Sequence, residues 1–158
     1  NCMGKTAKLV ISIVICLLAG FLGSLFTTPA IPTWYAGLIK PVFSPPNYLF
    51  APVWTTLYIL MGISLYIVWG KKKDQKVKEA LKLFAIQLFL NTIWSPIFFG
   101  AKNLFLALII IIFMWIFILK TIHAFAKVDK KASYLLYPYI AWVSFASILN
   151  FSVWFLNR

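Results

Sequence analysis

Residues 83–119 read LFAIQLFLNTIWSPIFFGAKNLFLALIIIIFMWIFIL, with Lys102 as the single charge in the run. A bilayer core takes about 20 apolar residues of helix. The stretch therefore holds two spans, 83–101 and 103–119, parted by one lysine. The connection between Gly100 and Asn103 is very short, and short helix connections join antiparallel neighbours. The reading starts from a membrane helical hairpin.

Working outward, three further charge-free intervals appear at 9–39, 41–70 and 132–157. Together these runs predict helices over residues 9–26, 48–69, 83–99, 103–125 and 134–155. The expected architecture is a single all-α integral membrane domain over residues 1–158. It is a five-transmembrane-helix bundle with a structured loop between its first two helices. Composition agrees: the chain is 63% hydrophobic and 11% charged over 158 residues, with mean hydropathy +0.92. A soluble domain of this size cannot hide so much apolar surface.

The net charge of +12 does not point to nucleic acid, because the lysines sit between apolar runs and not on one polar face. They read as topology signals and head-group contacts. Five spans put the termini on opposite sides. One side collects Lys5, Lys8, Lys71, Lys72, Lys73, Lys76, Lys78, Lys82, Lys120, Lys127, Lys130 and Lys131, and the other Lys40, Lys102 and Arg158. Positive residues favour the inside, so the N-terminus is expected inside and the C-terminus outside. Lys120, near one end of the fourth helix, is expected to snorkel to the head groups. The runs 71–82 and 127–133 are read as inside loops. The first apolar run follows Lys5 and Lys8 as a signal peptide would, but it is longer than the usual h-region of about 7–15 residues, so a retained helix is expected. Cys2 and Cys16 have no metal or disulfide spacing and read as unpaired. Ala19 and Gly23, and likewise Gly20 and Ser24, sit four apart, a spacing that lets helices approach closely, within the bundle or between copies.

The connector WYAGLIKPVFSPPNYLFAPVW, residues 34–54, carries Pro41, Pro45, Pro46 and Pro52 with Lys40 as its only charge. Proline fixes φ and lowers the entropy lost on ordering. A stiff aromatic connector over a helix bundle suggests a lid, here on the outer side.

Catalytic constellations are missing from the sequence. It has no carboxylate pair, metal-ligand cluster, nucleophile triad or phosphate loop, and Asp74, Glu79 and Asp129 all lie near the inside loops. His123 reads as an interfacial side chain. Uncharged polar groups are better candidates. Gln87, Asn91, Trp94 and Phe98 share one face of the third helix, and Tyr139, Trp142, Ala146 and Asn150 share one face of the fifth. Phe50, Trp54 and Tyr58 line the second. Converging, these faces enclose an aromatic cavity with a few amides and a phenol, suited to a flat, mostly apolar ligand. The same amides also serve as helix-to-helix glue, and Trp and Tyr gather at membrane interfaces without any ligand. The residue types leave both roles open.

WYAGLIKP at 34–41, SPP at 44–46, APVWTTLYILMG at 51–62, LNTIWSPIFFGAKN at 90–103 and LLYPYIAWVSFASILNFSVW at 135–154 occur in order. In these motifs the chain resembles the translocator protein family, also called tryptophan-rich sensory protein (TspO/MBR) or peripheral-type benzodiazepine receptor. The resemblance implies a five-helix bundle, commonly a homodimer, with a pocket closed by the loop at about 27–47. It implies binding of porphyrins such as protoporphyrin IX and haem, as ligands and not as an obligatory cofactor. Matching the motifs carries the pocket onto Trp34, Tyr35, Phe50, Ala51, Trp54, Asn91, Trp94, Phe98, Trp142, Ala146 and Leu149. No metal is implied. The implied role is a receptor, sensor or carrier. The alternatives are a passive transporter and light-dependent porphyrin breakdown carried by Trp54 and Trp142. Phe151 and Phe155 replace the tyrosine and arginine of the animal cholesterol motif, which argues against sterol transport. Ile110 and Leu106 make the fourth-helix wall more apolar than in animal members. The lysine-rich loops fit a prokaryotic plasma membrane.

Overall fold

The structure is a computed structural model and describes residues 4–158; Cys2 lies outside the described residues. The described chain is helical, with α1 at Lys5–Ala30, α2 at Phe50–Trp69, α3 at Gln75–Ser95, α4 at Leu104–Val128, α5 at Lys130–Tyr134 and α6 at Tyr137–Leu156. Five helical stretches are long and apolar enough to cross a membrane: Lys5–Ala30, Asn47–Trp69, Gln75–Gly100, Leu104–Val128 and Lys130–Leu156. The expected five-helix membrane bundle is thus observed.

The element bounds correct the reading above in several places. The third helix starts at Gln75, not at residue 83. Val77, Ala80, Phe84, Gln87, Asn91 and Ser95 form one buried stripe at helical spacing. The lysines between them stand on the outer face, so most of the 71–82 run is helix. Asp74 caps it, its carboxylate accepting from the Val77 N–H at 3.0 Å, as a residue before a first turn should. The 127–133 loop shrinks likewise to Asp129, which caps α5 through the Lys131 N–H at 2.9 Å. The first helix continues to Ala30, with Pro29 in its last turn. The lid is accordingly shorter, with Thr27 and Thr28 inside α1.

Pro96 interrupts the donor ladder at the end of α3, and residues Pro96–Gly100 wind as a π turn. Its wider closure is the 2.8 Å bond from the Ala101 N–H to the Pro96 carbonyl. The turn leaves Phe98 and Phe99 both buried, although neighbouring residues on a regular helix diverge by about 100°. Asn103 then caps α4 through the Leu106 N–H, and the hairpin closes as expected.

Small residues set how closely α1 approaches its neighbours. A Cβ added to Gly62 of α2 would lie 2.5 Å from the Ile13 Cα, and one added to Gly20 would lie 2.5 Å from the Tyr58 ring. The Ser95 hydroxyl donates to the Gly23 carbonyl at 2.8 Å and is also paired with the Thr27 hydroxyl. The Ala19/Gly23 and Gly20/Ser24 spacing therefore serves packing within the bundle. On the opposite face of α1, Val10, Val14, Leu18, Phe21 and Leu25 are exposed, as a lipid-facing stripe must be. Cys16 is free and buried. Lys120 is exposed, and its ammonium sits 5.1 Å from the Phe117 ring centroid.

Lys71, after α2, reaches Asp129 at 3.0 Å. This pair ties the α2–α3 connector to the α4–α5 corner and holds the Asp129 carboxyl below its usual range, chiefly through the hydrogen bond from Lys71. A depressed folded-state value means that the contribution is present above the unfolded carboxylate range, near about 4. It fades as pH falls from there through the lower folded value. Acid unfolding in detergent is expected to show this loss in the wild type and a shallower slope over that window in Asp129→Asn. Added salt should shrink the difference, since the pair is partly exposed. Parallel acid-unfolding curves for the two proteins would reject the assignment.

Candidate ligand cavity

At the end of the bundle that carries the 31–49 connector, α1, α2, α3 and α6 enclose a cavity of about 410 Å³. Ten of the sequence-derived site residues line it: Tyr35, Phe50, Ala51, Trp54, Asn91, Trp94, Phe98, Trp142, Ala146 and Leu149. Trp34 does not. Its ring packs edge-on against Phe98 and Phe99, with centroids at 5.8 and 6.3 Å, so it supports the wall from behind. Gln87, on the predicted α3 face, is buried but also lies outside the lining.

The aromatic walls interlock. Trp54 stacks on Tyr58 at 5.7 Å, Trp94 lies 4.9 Å from Phe98, and Trp142 is held between Phe50 at 6.5 Å and Phe145 at 5.5 Å. Such offset and edge contacts add about 0.5–1.5 kcal/mol each beyond area burial, which keeps the walls apart and in place.

The polar groups mostly satisfy one another. The Tyr58 hydroxyl donates to Asn91 Oδ1 at 2.6 Å, Asn91 Nδ2 donates to the Tyr139 hydroxyl at 2.7 Å, and that hydroxyl donates to Gln87 Oε1 at 2.7 Å. This chain crosses α2, α3 and α6 at the buried end of the cavity. Asn150 accepts from Trp94 Nε1 at 3.1 Å and donates to the Leu104 carbonyl at 3.1 Å. The amides therefore join helices, and the surfaces they fix line a cavity.

Among the cavity residues one buried polar atom stands apart. Trp142 Nε1 is buried without a hydrogen-bond partner. A buried N–H left unpaired costs about 1–3 kcal/mol, and native structures leave few such groups.

Ile31, Tyr35 and Asn47 of the connector line this end of the cavity. Tyr35 is buried against Phe98 and Phe99. Lys40 turns back, donating to the Tyr35 and Leu38 carbonyls at 2.9 and 3.1 Å, with its ammonium 4.8 Å from the Tyr35 ring. Asn157, just past α6, accepts from the Ile39 N–H at 2.9 Å and donates to the Ile39 carbonyl at 2.8 Å. Its side-chain amide therefore staples the lid to the last turn of the bundle. Asn157 was missed in the sequence, although it stands seven residues after Asn150 and so continues the same helical face.

The comparisons with known proteins agree with this geometry. The TspO/MBR family model matches residues 12–155, which reaches every long helix and includes the whole connector. The chain is 49% identical over 150 residues to the tryptophan-rich protein TspO of Chlorobaculum tepidum, covering 94% of this chain and 95% of that one. It is 49% identical over 152 residues to the tryptophan-rich protein TspO of Archaeoglobus fulgidus, covering 95% and 97%. It is 41% identical over 144 residues to the translocator protein of Bos taurus, covering 89% and 85%. A five-helix membrane bundle, a stapled aromatic connector and matches running nearly end to end have one common reading: the chain belongs to the TspO/MBR family.

Proposed function

We propose that this membrane protein is a receptor, sensor or carrier that binds a flat, mostly apolar ligand of the tetrapyrrole class, such as protoporphyrin IX or haem, beneath the connector. The observation that carries the reading is the unpaired, buried Trp142 Nε1 in a wall where Tyr58, Asn91, Trp94 and Asn150 are hydrogen-bonded to one another or to neighbouring helices. A pocket of about 300–1,000 Å³ with apolar walls and few polar contacts suits a small planar ligand, and the 410 Å³ cavity falls in that range. An acceptor on the ligand, such as a propionate, would satisfy the free indole N–H. Porphyrin binding rests on the resemblance and on this fit. The same proposal includes a homodimer, an N-terminus inside and a prokaryotic plasma membrane, the last two from the lysine distribution.

Titrating protoporphyrin IX against tryptophan fluorescence tests the reading. The wild type should quench saturably. Trp142→Phe keeps most of the ring but deletes the donor; one hydrogen bond of about 1 kcal/mol corresponds to roughly fivefold weaker binding. Absence of saturable quenching, or unchanged affinity in Trp142→Phe combined with Trp54→Phe, would sink it. The two indoles at the wall, Trp54 and Trp142, also make light-driven breakdown testable in the same cuvette. A new absorbing product formed with turnover favours an enzyme, and bleaching equal to that of free porphyrin rejects one.

A further inference from the structure

At the other end of the bundle, α3 and α4 leave between them an open groove of about 420 Å³ lined by Glu79, Leu83, Leu119, Lys120, His123, Ala124 and Lys127. On α4, Ile112, Ile116, Lys120, His123 and Lys127 recur at steps of three and four residues, so they form one stripe along the helix. Ile112, Ile116 and Leu119 are exposed, and so are Lys120, His123 and Lys127. The stripe is apolar toward the helix middle and basic toward its end.

Lys120 is the informative residue. It lies eight residues before Val128, the last residue of α4, or about 12 Å from the helix end at 1.5 Å per residue. Its ammonium rests beside the Phe117 ring and makes no ion pair with any described residue. Lys120 shares its groove with Glu79 of the lysine-rich first turns of α3, the level at which acidic head groups meet basic side chains. Glu79 is the one acid of the groove. Two lysines and one glutamate leave it one positive charge before His123 is counted.

From this we infer that the groove between α3 and α4 seats the phosphodiester of one anionic phospholipid such as phosphatidylglycerol. The phosphate sits among Lys120, His123 and Lys127, and an acyl chain runs along Leu119, Ile116 and Ile112. Charge complementarity selects the occupant: one net positive groove against one negative head group. The apolar continuation along exposed Leu119, Ile116 and Ile112 selects an amphiphile over a free anion. Basic pockets between membrane helices bind acidic head groups by this chemistry. Glu79 sets a limit, since it repels the head group it borders and so keeps the site exchangeable.

The test uses the full chain in neutral detergent, with native mass spectrometry counting bound phosphatidylglycerol or phosphatidylcholine. The wild type should retain one phosphatidylglycerol in preference to phosphatidylcholine. Lys120→Gln combined with Lys127→Gln should weaken phosphatidylglycerol binding about tenfold or more, each near-surface lysine being worth about 1 kcal/mol. Glu79→Gln should strengthen it severalfold, a gain that a merely damaged fold does not produce. Lys72→Gln combined with Lys73→Gln removes the same charge from the exposed connector and should change little. An equal loss in that control would overturn the site in favour of diffuse attraction. Displacement of the lipid by millimolar inorganic phosphate, or weaker binding in Glu79→Gln, would overturn it as well.

Discussion

Gly62→Ala is expected to lower the melting temperature of the protein in detergent more than any other single-methyl addition in the bundle. The added Cβ would meet the Ile13 Cα at 2.5 Å, its side chain at 2.8 Å and the Ile13 N at 3.0 Å. Backbone atoms cannot rotate away, so α1 must move as a unit off α2. Overpacking of this kind costs about 1–3 kcal/mol and occasionally more. The intrinsic helix preference of alanine over glycine returns at most about 1 kcal/mol, so the clash wins. At roughly 2–4 °C per kcal/mol for a chain of this size, a fall on the order of 5 °C follows. Gly37→Ala is the control, because nothing lies within 4 Å of its added Cβ. Gly20→Ala is the intermediate case: its Cβ meets the Tyr58 ring at 2.5 Å, and a ring can tilt where a backbone cannot. Tilting Tyr58 would disturb the cavity, so Gly20→Ala should affect ligand titration more than melting. Equal melting temperatures for Gly62→Ala and Gly37→Ala would show that α1 is not held by this contact.

The contrast between these glycines indicates which parts of the molecule were legible in the sequence. The number and order of the membrane helices followed from charge-free runs, because lipid imposes a length and excludes charge over that length. Helix ends did not follow. Leaving the bilayer does not end a helix, so α3 begins among lysines at Gln75 once Asp74 caps it. The faces of Asn91, Trp94 and Phe98, and of Trp142 and Ala146, were readable because helical periodicity fixes which side chains neighbour each other. Their convergence on one cavity depends on tertiary approach. That approach turns on Gly20, Gly23 and Gly62, where what matters is a missing atom. The π turn after Pro96 was not readable either: proline marks a disturbance of the ladder but does not specify whether it kinks, stops or widens. Trp34 was carried to the site by motif, and it lies one layer behind the wall because Phe98 and Phe99 both turn inward.

Asn91→Leu is the substitution expected to separate the two roles of the cavity face. Leucine keeps approximate volume but removes the acceptor for the Tyr58 hydroxyl and the donor to the Tyr139 hydroxyl. Tyr139 still donates to Gln87 Oε1, so it remains satisfied as a donor, whereas the buried Tyr58 hydroxyl is orphaned. Interhelical hydrogen bonds in membrane proteins average only about 0.6 kcal/mol, yet stranding a buried polar group costs about 1–3 kcal/mol. The second effect dominates, and Asn91→Leu should lose about 2 kcal/mol in reversible unfolding. Adding Tyr58→Phe removes the stranded hydroxyl together with its lost partner. The double variant should then be no less stable than Asn91→Leu alone, and more stable by up to about 1 kcal/mol, because nothing remains to be satisfied. Strictly additive losses would mean that the Tyr58–Asn91 bond contributes nothing as a pair and that the network is incidental to packing. Porphyrin titration of the same two proteins then bears on the ligand. If Asn91 acts by fixing the walls, affinity should fall in the single variant and recover in part with the second substitution. If the amide touches the ligand itself, stability should recover while affinity stays low.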